Sequence, residues 1–285
     1  MRVLAIDSSG LVATVAIVEE DHTLAEYTVD YKKTHSQTLL PMLDEVVKMT
    51  ELDLQTIDAI AISGGPGSFT GLRIGSATAK GLGLALNKPL IHVPTLDGLA
   101  FNVYGCREII CPIMDARRNQ VYTGMYTFLE EELRILERPV AISVGELIER
   151  LNGWNRPVVF LGDGVPVYKE LLRKGLKISY TFAPQHMNRQ RAASVGTLGM
   201  RYMKQGRIES AMDHQPEYLR MSQAERERLE RETEEKKAAE ERKKAEEKAL
   251  EYKKWRDDPE APGMEATVPD ENALDGIMPD SGSAD

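Results

Sequence analysis

Apolar and polar positions along this chain switch between a period of two and a period near 3.6, so the pattern predicts strands alternating with amphipathic helices. Residues 3–6 are an apolar run that ends in Asp7-Ser8-Ser9-Gly10, and residues 12–18 alternate behind it. A strand, a tight turn at Asp7 and a returning strand are expected. Residues 36–49 read as a helix in which Leu39, Leu40, Leu43, Val46 and Val47 cover more than the single stripe a surface helix needs. A further apolar strand at 59–62 runs through Ser63-Gly64-Gly65-Pro66-Gly67-Ser68-Phe69-Thr70-Gly71 into a small-residue helix predicted over 72–86. Much later, Ile109-Ile110-Cys111-Pro112-Ile113-Met114-Asp115 leads through Ala116-Arg117-Arg118 into a strand at 121–128 rich in β-branched and aromatic side chains. The two openings echo one another, with one extra turn residue in the second, and suggest an internal duplication. Residues 190–204 repeat Ala192, Val195, Leu198, Gly199 and Tyr202 at helical spacing.

Beyond Gln223 the pattern ends and the composition turns to Glu, Lys, Arg and Ala. Pairs such as Glu232 with Lys236 and Glu240 with Lys244 support a solvated helix, while Leu229, Leu250, Tyr252 and Trp255 are too sparse for a coiled-coil seam. Residues 258–285, rich in Pro, Gly, Asp, Glu and Ser, read as disordered. With 285 residues, 42% of them hydrophobic, the chain can bury a substantial core, and it contains no unbroken apolar stretch of membrane-spanning length. A chain that opens directly on a strand and carries two cysteines suits the cytoplasm. A net charge of −9 argues against independent, tight nucleic-acid binding, although Arg73, Arg117, Arg118, Arg189 and Arg191 offer a local basic patch.

The glycine loop between strand and helix is the strongest chemical feature. Glycines let backbone amides crowd together, Ser68 and Thr70 are candidate caps, and such a corner can hold an anion. The same glycines also serve simply to turn the chain. No Lys-Ser or Lys-Thr pair follows them, so this is not a Walker loop. His22, His35, His92, His186 and His214 include no two at helical ligand spacing, so no metal is expected. No motif pairs Cys106 or Cys111 with a base, and no Gly-x-Ser-x-Gly elbow appears.

Together, Leu4-Ala5-Ile6-Asp7-Ser8-Ser9, Thr34-His35-Ser36-Gln37 with Leu39-Leu40-Pro41, the loop at 65–73, Met114-Asp115-Ala116-Arg117-Arg118, and Tyr218-Leu219-Arg220 resemble the TsaB (YeaZ) family over roughly residues 1–225. That family is the partner subunit of the bacterial machinery making threonylcarbamoyladenosine in tRNA. The resemblance implies an α/β, actin-like ATPase fold, shared with sugar kinases and heat-shock ATPases. Two similar lobes are expected at 1–105 and 106–188, with a returning segment at 189–223 packed on the first lobe and a charged tail at 224–285. In active relatives the first hairpin's Asp organises a metal-bound phosphate. Nucleotide or anion contacts are therefore expected at Asp7, Ser8, Ser9, Gly65, Gly67, Ser68, Thr70, Asp115, Arg117 and Arg118. The strand and loop at 158–164 resemble an adenosine-side element.

The resemblance further implies a catalytically silent scaffold that pairs with TsaD, helps recruit the ATPase TsaE, and self-associates when alone. ATP and metal would belong to partner subunits, and tRNA would be met only through the complex. The expected interface comprises Leu39, Leu40, Met42, Leu43, Val46, Val47 and Met49 on the first helix. Gly71, Gly75, Thr78, Ala79 and Leu82 would form a low ridge on the second. Leu40, Met42 and Met49 are the outer patch. The rival reading of the same residues is an ATP-dependent kinase or hydrolase using Asp7 and the loop at 64–71; an adaptor acting through the tail is a third.

Overall fold

The computed structural model describes residues 1–31, 34–220 and 223–256. It divides into two units, residues 1–222 and residues 223–285. The first unit opens with β1 (Arg2–Asp7), β2 (Ala13–Glu19), β3 (Thr23–Val29), α1 (His35–Met49), β4 (Ala59–Gly65), α2 (Phe69–Leu86), β5 (Leu90–Pro94) and α3 (Thr95–Phe101). Its strands form a five-stranded sheet ordered β3-β2-β1-β4-β5, with β1 antiparallel to β2 and parallel to β4. There follow β6 (Ile109–Asp115), β7 (Gln120–Leu129), β8 (Glu132–Ser143), α4 (Val144–Trp154), β9 (Val158–Leu161), α5 (Gly164–Gly175) and β10 (Tyr180–Phe182), then α6 (Ala192–Lys204). The second sheet is ordered β8-β7-β6-β9-β10, and β6 is again antiparallel to the strand after it and parallel to β9. Strand order and strand sense therefore repeat, and the echo between residues 3–18 and 109–128 is a true duplication of topology.

Side-chain alternation assigns each sheet face its layer. Leu4, Ile6, Ile60 and Ile62 point to an outer core with Leu39, Met42, Leu43 and Val46 of α1 and Ala79 of α2. Val3, Ala5, Ala59 and Ala61 point the other way, into a central core that includes Leu96 and Leu99 of α3, Val195 and Leu198 of α6, and Met114 and Tyr126 of the second sheet. The outer face of the second sheet is closed by Leu147 and Leu151 of α4 and by Val165 and Leu172 of α5. Helices thus cover both faces of both sheets, and the central layer is shared.

α6 reaches the first sheet through glycines. A Cβ at Gly196 would lie 2.6 Å from Val18 Cγ2 and 3.1 Å from Ala5 Cβ, and one at Gly199 would lie 2.8 Å from Ala61 Cβ. Alanines on the strands meet glycines on the helix, so the backbones approach closely.

Four interface expectations on α1 and three on α2 are corrected here. Met42 is only 3% exposed, and Leu39, Leu43 and Val46 are buried beside it, because the sheet face beneath needs that much apolar cover. Gly71, Gly75 and Ala79 are likewise buried: Gly75 sits against Ser8 Oγ and Ile62 Cδ1. Val47, Thr78 and Leu82 are half-buried. What faces outward is Leu40, Met49, Ala77, Gly81, Leu84 and Ala85.

In the second unit, residues Gln223–Arg256 form a helix, α7. Glu232 pairs there with Arg228, four residues upstream, at 2.7 Å. The disorder expected over 258–285 lies outside the described residues.

Replacing Gly196 with Val forces a branched side chain into Val18 and Ala5. Urea denaturation should show a loss of about 2–3 kcal/mol, the cost typical of overpacking a filled core.

Candidate functional site

Segments distant in sequence converge at the carboxyl end of β1. Asp7 is 1% exposed, and its Oδ1 accepts the Ser9 N–H at 2.8 Å and the Ser9 hydroxyl at 2.6 Å. Burial pushes this carboxyl above its ordinary range, and the Ser9 hydrogen bonds oppose that rise. The Ser8 hydroxyl donates to the Gly71 carbonyl at 2.9 Å. The glycine loop lies directly on this turn. The Ser68 N–H donates to the Ser9 carbonyl at 2.6 Å, and a Cβ at Gly67 or Gly71 would collide with the carbonyl of Ser9 or Ser8. Gly65, at φ +125°, packs on the Glu217 carbonyl, a position open only to glycine.

Ser68 caps α2 as its position suggests, its Oγ accepting the Gly71 N–H at 3.3 Å. Thr70 lies inside the first helical turn and is exposed. The His35 Nε2 lies 2.9 Å from the Gly10 carbonyl oxygen. Phe69 stacks on Tyr218 with ring centroids 4.5 Å apart, and the Arg73 guanidinium lies 4.0 Å from the Phe69 ring centre. Arg220 donates to the Ala116 carbonyl at 2.6 Å, so the segment after α6 ties the loop to the second sheet's hairpin.

The second hairpin is arranged differently. Asp115 Oδ1 accepts from the Arg117 N–H and from the Tyr168 hydroxyl, each at 2.8 Å. Arg117, Arg118 and Asn119 all hold positive φ (62°, 55° and 57°), which turns the hairpin left-handed and leaves both arginines exposed. Gly162, at φ +106°, sits on the Ile113 carbonyl, so the loop after β9 closes on β6 much as the first glycine loop closes on β1. Asp163 Oδ1 accepts the Asp115 N–H at 3.1 Å, and burial pushes its carboxyl up to about 6.

These contacts correct the expected anion site. Asp7, Ser8 and Ser9 are buried and bonded to one another or to the loop, and Gly65 and Gly67 support protein carbonyls. Arg117 and Arg118 are exposed to solvent. The expected basic patch is also divided, since Arg189 pairs with Asp30 at 3.3 Å and Arg191 pairs with Glu26. Cys111 is fully buried, and burial pushes its thiol up to about 12, so it is no nucleophile. What the arrangement does is tie a hairpin, the start of α2 and the returning segment together through hydrogen bonds and close backbone contacts.

Folding also makes a cluster that no local spacing announces: one donor atom from each of His92, Glu209 and His214 lies within 4.8 Å of the others. The spacing test for metal ligands covers only donors on one helix. The motif Tyr218-Leu219-Arg220 is visible in the sequence, but the packing of Tyr218 on Phe69 and the Arg73 hydrogen bond to its hydroxyl are not.

Two sheets of one repeated topology, joined by a shared helical layer and each opening on an Asp-ended strand, define a duplicated α/β protein of the actin-like ATPase class. The chain belongs to the TsaB (YeaZ) family of tRNA threonylcarbamoyladenosine biosynthesis proteins. Residues 22–228 match the family model for TsaD, tRNA N6-adenosine threonylcarbamoyltransferase. The TsaB protein of Bacillus subtilis is 32% identical over 230 residues, covering 81% of this chain and 99% of that protein. That of Haemophilus influenzae is 30% identical, covering 77% and 94% respectively. The structure of YeaZ from Pseudomonas aeruginosa superposes with a TM-score of 0.65 at 26% identity, over 76% of this chain and 99% of that one. Among the described residues no helix is long and apolar enough to cross a membrane.

The raised Asp163 carboxyl makes a pH-dependent contribution with a definite sign. Between an unfolded value of about 4 and the folded value near 6, the folded state holds the extra proton, so stability falls as pH rises through that window. Asp163→Asn keeps an oxygen for the Asp115 N–H. It should stabilise the protein by about 2 kcal/mol at neutral pH, with the gain vanishing below about pH 4, as read from denaturation midpoints across pH.

Proposed function

We propose that this chain is the catalytically silent scaffold of the threonylcarbamoyladenosine machinery. It binds and stabilises a TsaD-type subunit, helps recruit the ATPase TsaE, and permits threonylcarbamoyl transfer to the adenosine beside the anticodon. ATP and metal for the reaction belong to the partners, tRNA is met through the assembled complex in the cytoplasm, and the free chain self-associates through the docking face.

The observation that carries this reading is the outward face of the adjacent helices α1 and α2. Leu40 is 54% exposed, Met49 76% and Leu84 54%, and Ala77, Gly81 and Ala85 are exposed on α2 at one-turn spacings. Gly81 has nothing within 4 Å of its Cβ position, so the fold itself gives no reason for glycine there. Mid-helix glycine costs about 1 kcal/mol relative to alanine. A second backbone approaching closely is a physical reason to keep it. Half-buried Ile74 and Thr78 flank the stripe. The closed Asp7 turn supports the same reading, because a buried carboxylate already held by Ser9 is poorly placed to meet a metal-bound phosphate.

Leu40→Glu and Gly81→Gln should each leave the fold intact and weaken pairing with TsaD by about 100-fold, near 3 kcal/mol, in sedimentation or calorimetry. Reconstituted tRNA modification should fall in parallel, and should stop when this subunit is omitted. Full modification without the subunit, or undiminished pairing by both variants, would reject the scaffold role. Asp7→Asn separates the rival ATPase reading: modification at the wild-type rate supports the scaffold, and its abolition by a folded variant supports ATP chemistry at Asp7.

A further inference from the structure

The segment from Arg207 to Glu217 crosses the first sheet's edge and is fastened there. Glu209 makes an antiparallel bridge with Leu90, with N–H to carbonyl bonds of 2.9 Å in both directions. Lys80 Nζ donates to the carbonyls of Met212 and His214 at 2.9 and 3.0 Å, and the Glu217 N–H donates to the Gly64 carbonyl at 2.7 Å. Under this clasp lie His92 of β5, Glu209 and His214, with one donor atom from each within 4.8 Å of the other two. Glu217 Oε2 stands 4.0 Å from His92 Nε2 at the rim.

A second, independent observation comes from His214. Its side chain is completely buried. One ring nitrogen, Nδ1, is 2.6 Å from Glu209 Oε1, and the other, Nε2, has no hydrogen-bond partner. Buried polar atoms without partners are rare in folded proteins and call for an explanation. Here the unpaired nitrogen belongs to a ring already inside a cluster of ligand-type side chains.

We propose that His92, Glu209 and His214 bind one zinc-type divalent cation, with Glu217 or water completing its coordination. Two imidazoles and a carboxylate suit zinc and its neighbours, whereas magnesium and calcium prefer oxygen donors throughout. Donors about 2.0–2.1 Å from zinc stand roughly 3.4 Å apart in a tetrahedron, so side-chain rotations of about 1 Å complete the site. His92 is partly exposed and both glutamates lie at the surface side of the cluster, so those rotations are available. The consequence of binding is structural: a cross-link between β5 and the segment that carries Tyr218 and Arg220 to the glycine loop.

The test uses the full, tag-free chain, stripped with chelator and titrated with Zn2+ by calorimetry, with Co2+ absorption as a coordination probe. Wild type should take up one cation per chain, give the visible spectrum of low-coordinate cobalt, and melt at a higher temperature with zinc than without. His92→Gln and His214→Ala should each weaken binding by more than about 10-fold, the least expected when even a supporting residue of a metal site is lost. They should also remove the zinc-dependent rise in melting temperature. If His214→Ala fails to fold, His92→Gln decides alone. The group of partly buried Glu19 with exposed Asp21 and His22 is the internal control, and His22→Gln should change nothing. Absence of saturable binding, binding that survives His92→Gln, or binding lost with His22→Gln would overturn the proposal. Because the measurement is made on the isolated chain, its outcome is separate from that of the scaffold reading.

Discussion

The fold depends on one close approach, that of the glycine loop to the turn after β1. The Ser68 N–H on the Ser9 carbonyl and the Ser8 hydroxyl on the Gly71 carbonyl fix the start of α2 above the hairpin, with no side chain between them at Gly67 or Gly71. A loop that sits this low leaves Asp7 no solvent, so the carboxylate turns to Ser9 and becomes a structural group. The same seating sets the height of α2, and with it the face that α1 and α2 turn outward. Sealing the turn and presenting the helices are two results of a single packing decision.

The second hairpin shows what happens when the constraint is relaxed. Gly162 again lies on a strand carbonyl, but Asp115 is held by Tyr168 and by a left-handed turn that throws Arg117 and Arg118 into solvent. Duplication preserved the strand order and senses, while the turn residues diverged. The lobes therefore share a frame and differ in their surface chemistry. Arg220 on the Ala116 carbonyl joins the two hairpins, which makes the returning segment part of both.

Much of the frame was legible in the sequence because it follows from local periodicity. Apolar alternation located β1, β2, β6 and β7, and the run of small residues located α2. Burial direction was less legible. Leu39, Met42, Leu43 and Val46 look as suited to a partner as Leu40 and Met49, since a helix pattern gives the angle between residues and not the width of sheet it must cover. Gly75 and Gly81 illustrate the same limit. One glycine admits Ser8 and the other faces open space, and nothing in their neighbours along the chain separates the two cases. The anion corner failed for a related reason: glycines that permit a ligand's approach equally permit a carbonyl's, and the competing carbonyls come from residues 8 and 9. His92, Glu209 and His214 were invisible because their meeting depends on the clasp from Arg207 to Glu217 returning across β5.

The helical cover of both sheets decides where a partner can dock. The chain's own helices pack on both faces of each sheet, so most of the apolar sheet surface is already covered. Small residues on α2 lower the relief between Leu40, Met49 and Leu84, and a surface of that shape fits a helix carrying its own small or apolar stripe better than a loop or a nucleic acid backbone. A net charge of −9 adds to the preference, since phosphate is repelled where an apolar helix is not. A partner built on the same duplicated frame would present α1- and α2-like helices of its own, so like can pair with like. On the scaffold reading proposed above, one face serves both self-association and docking to a related subunit, and the two compete for it.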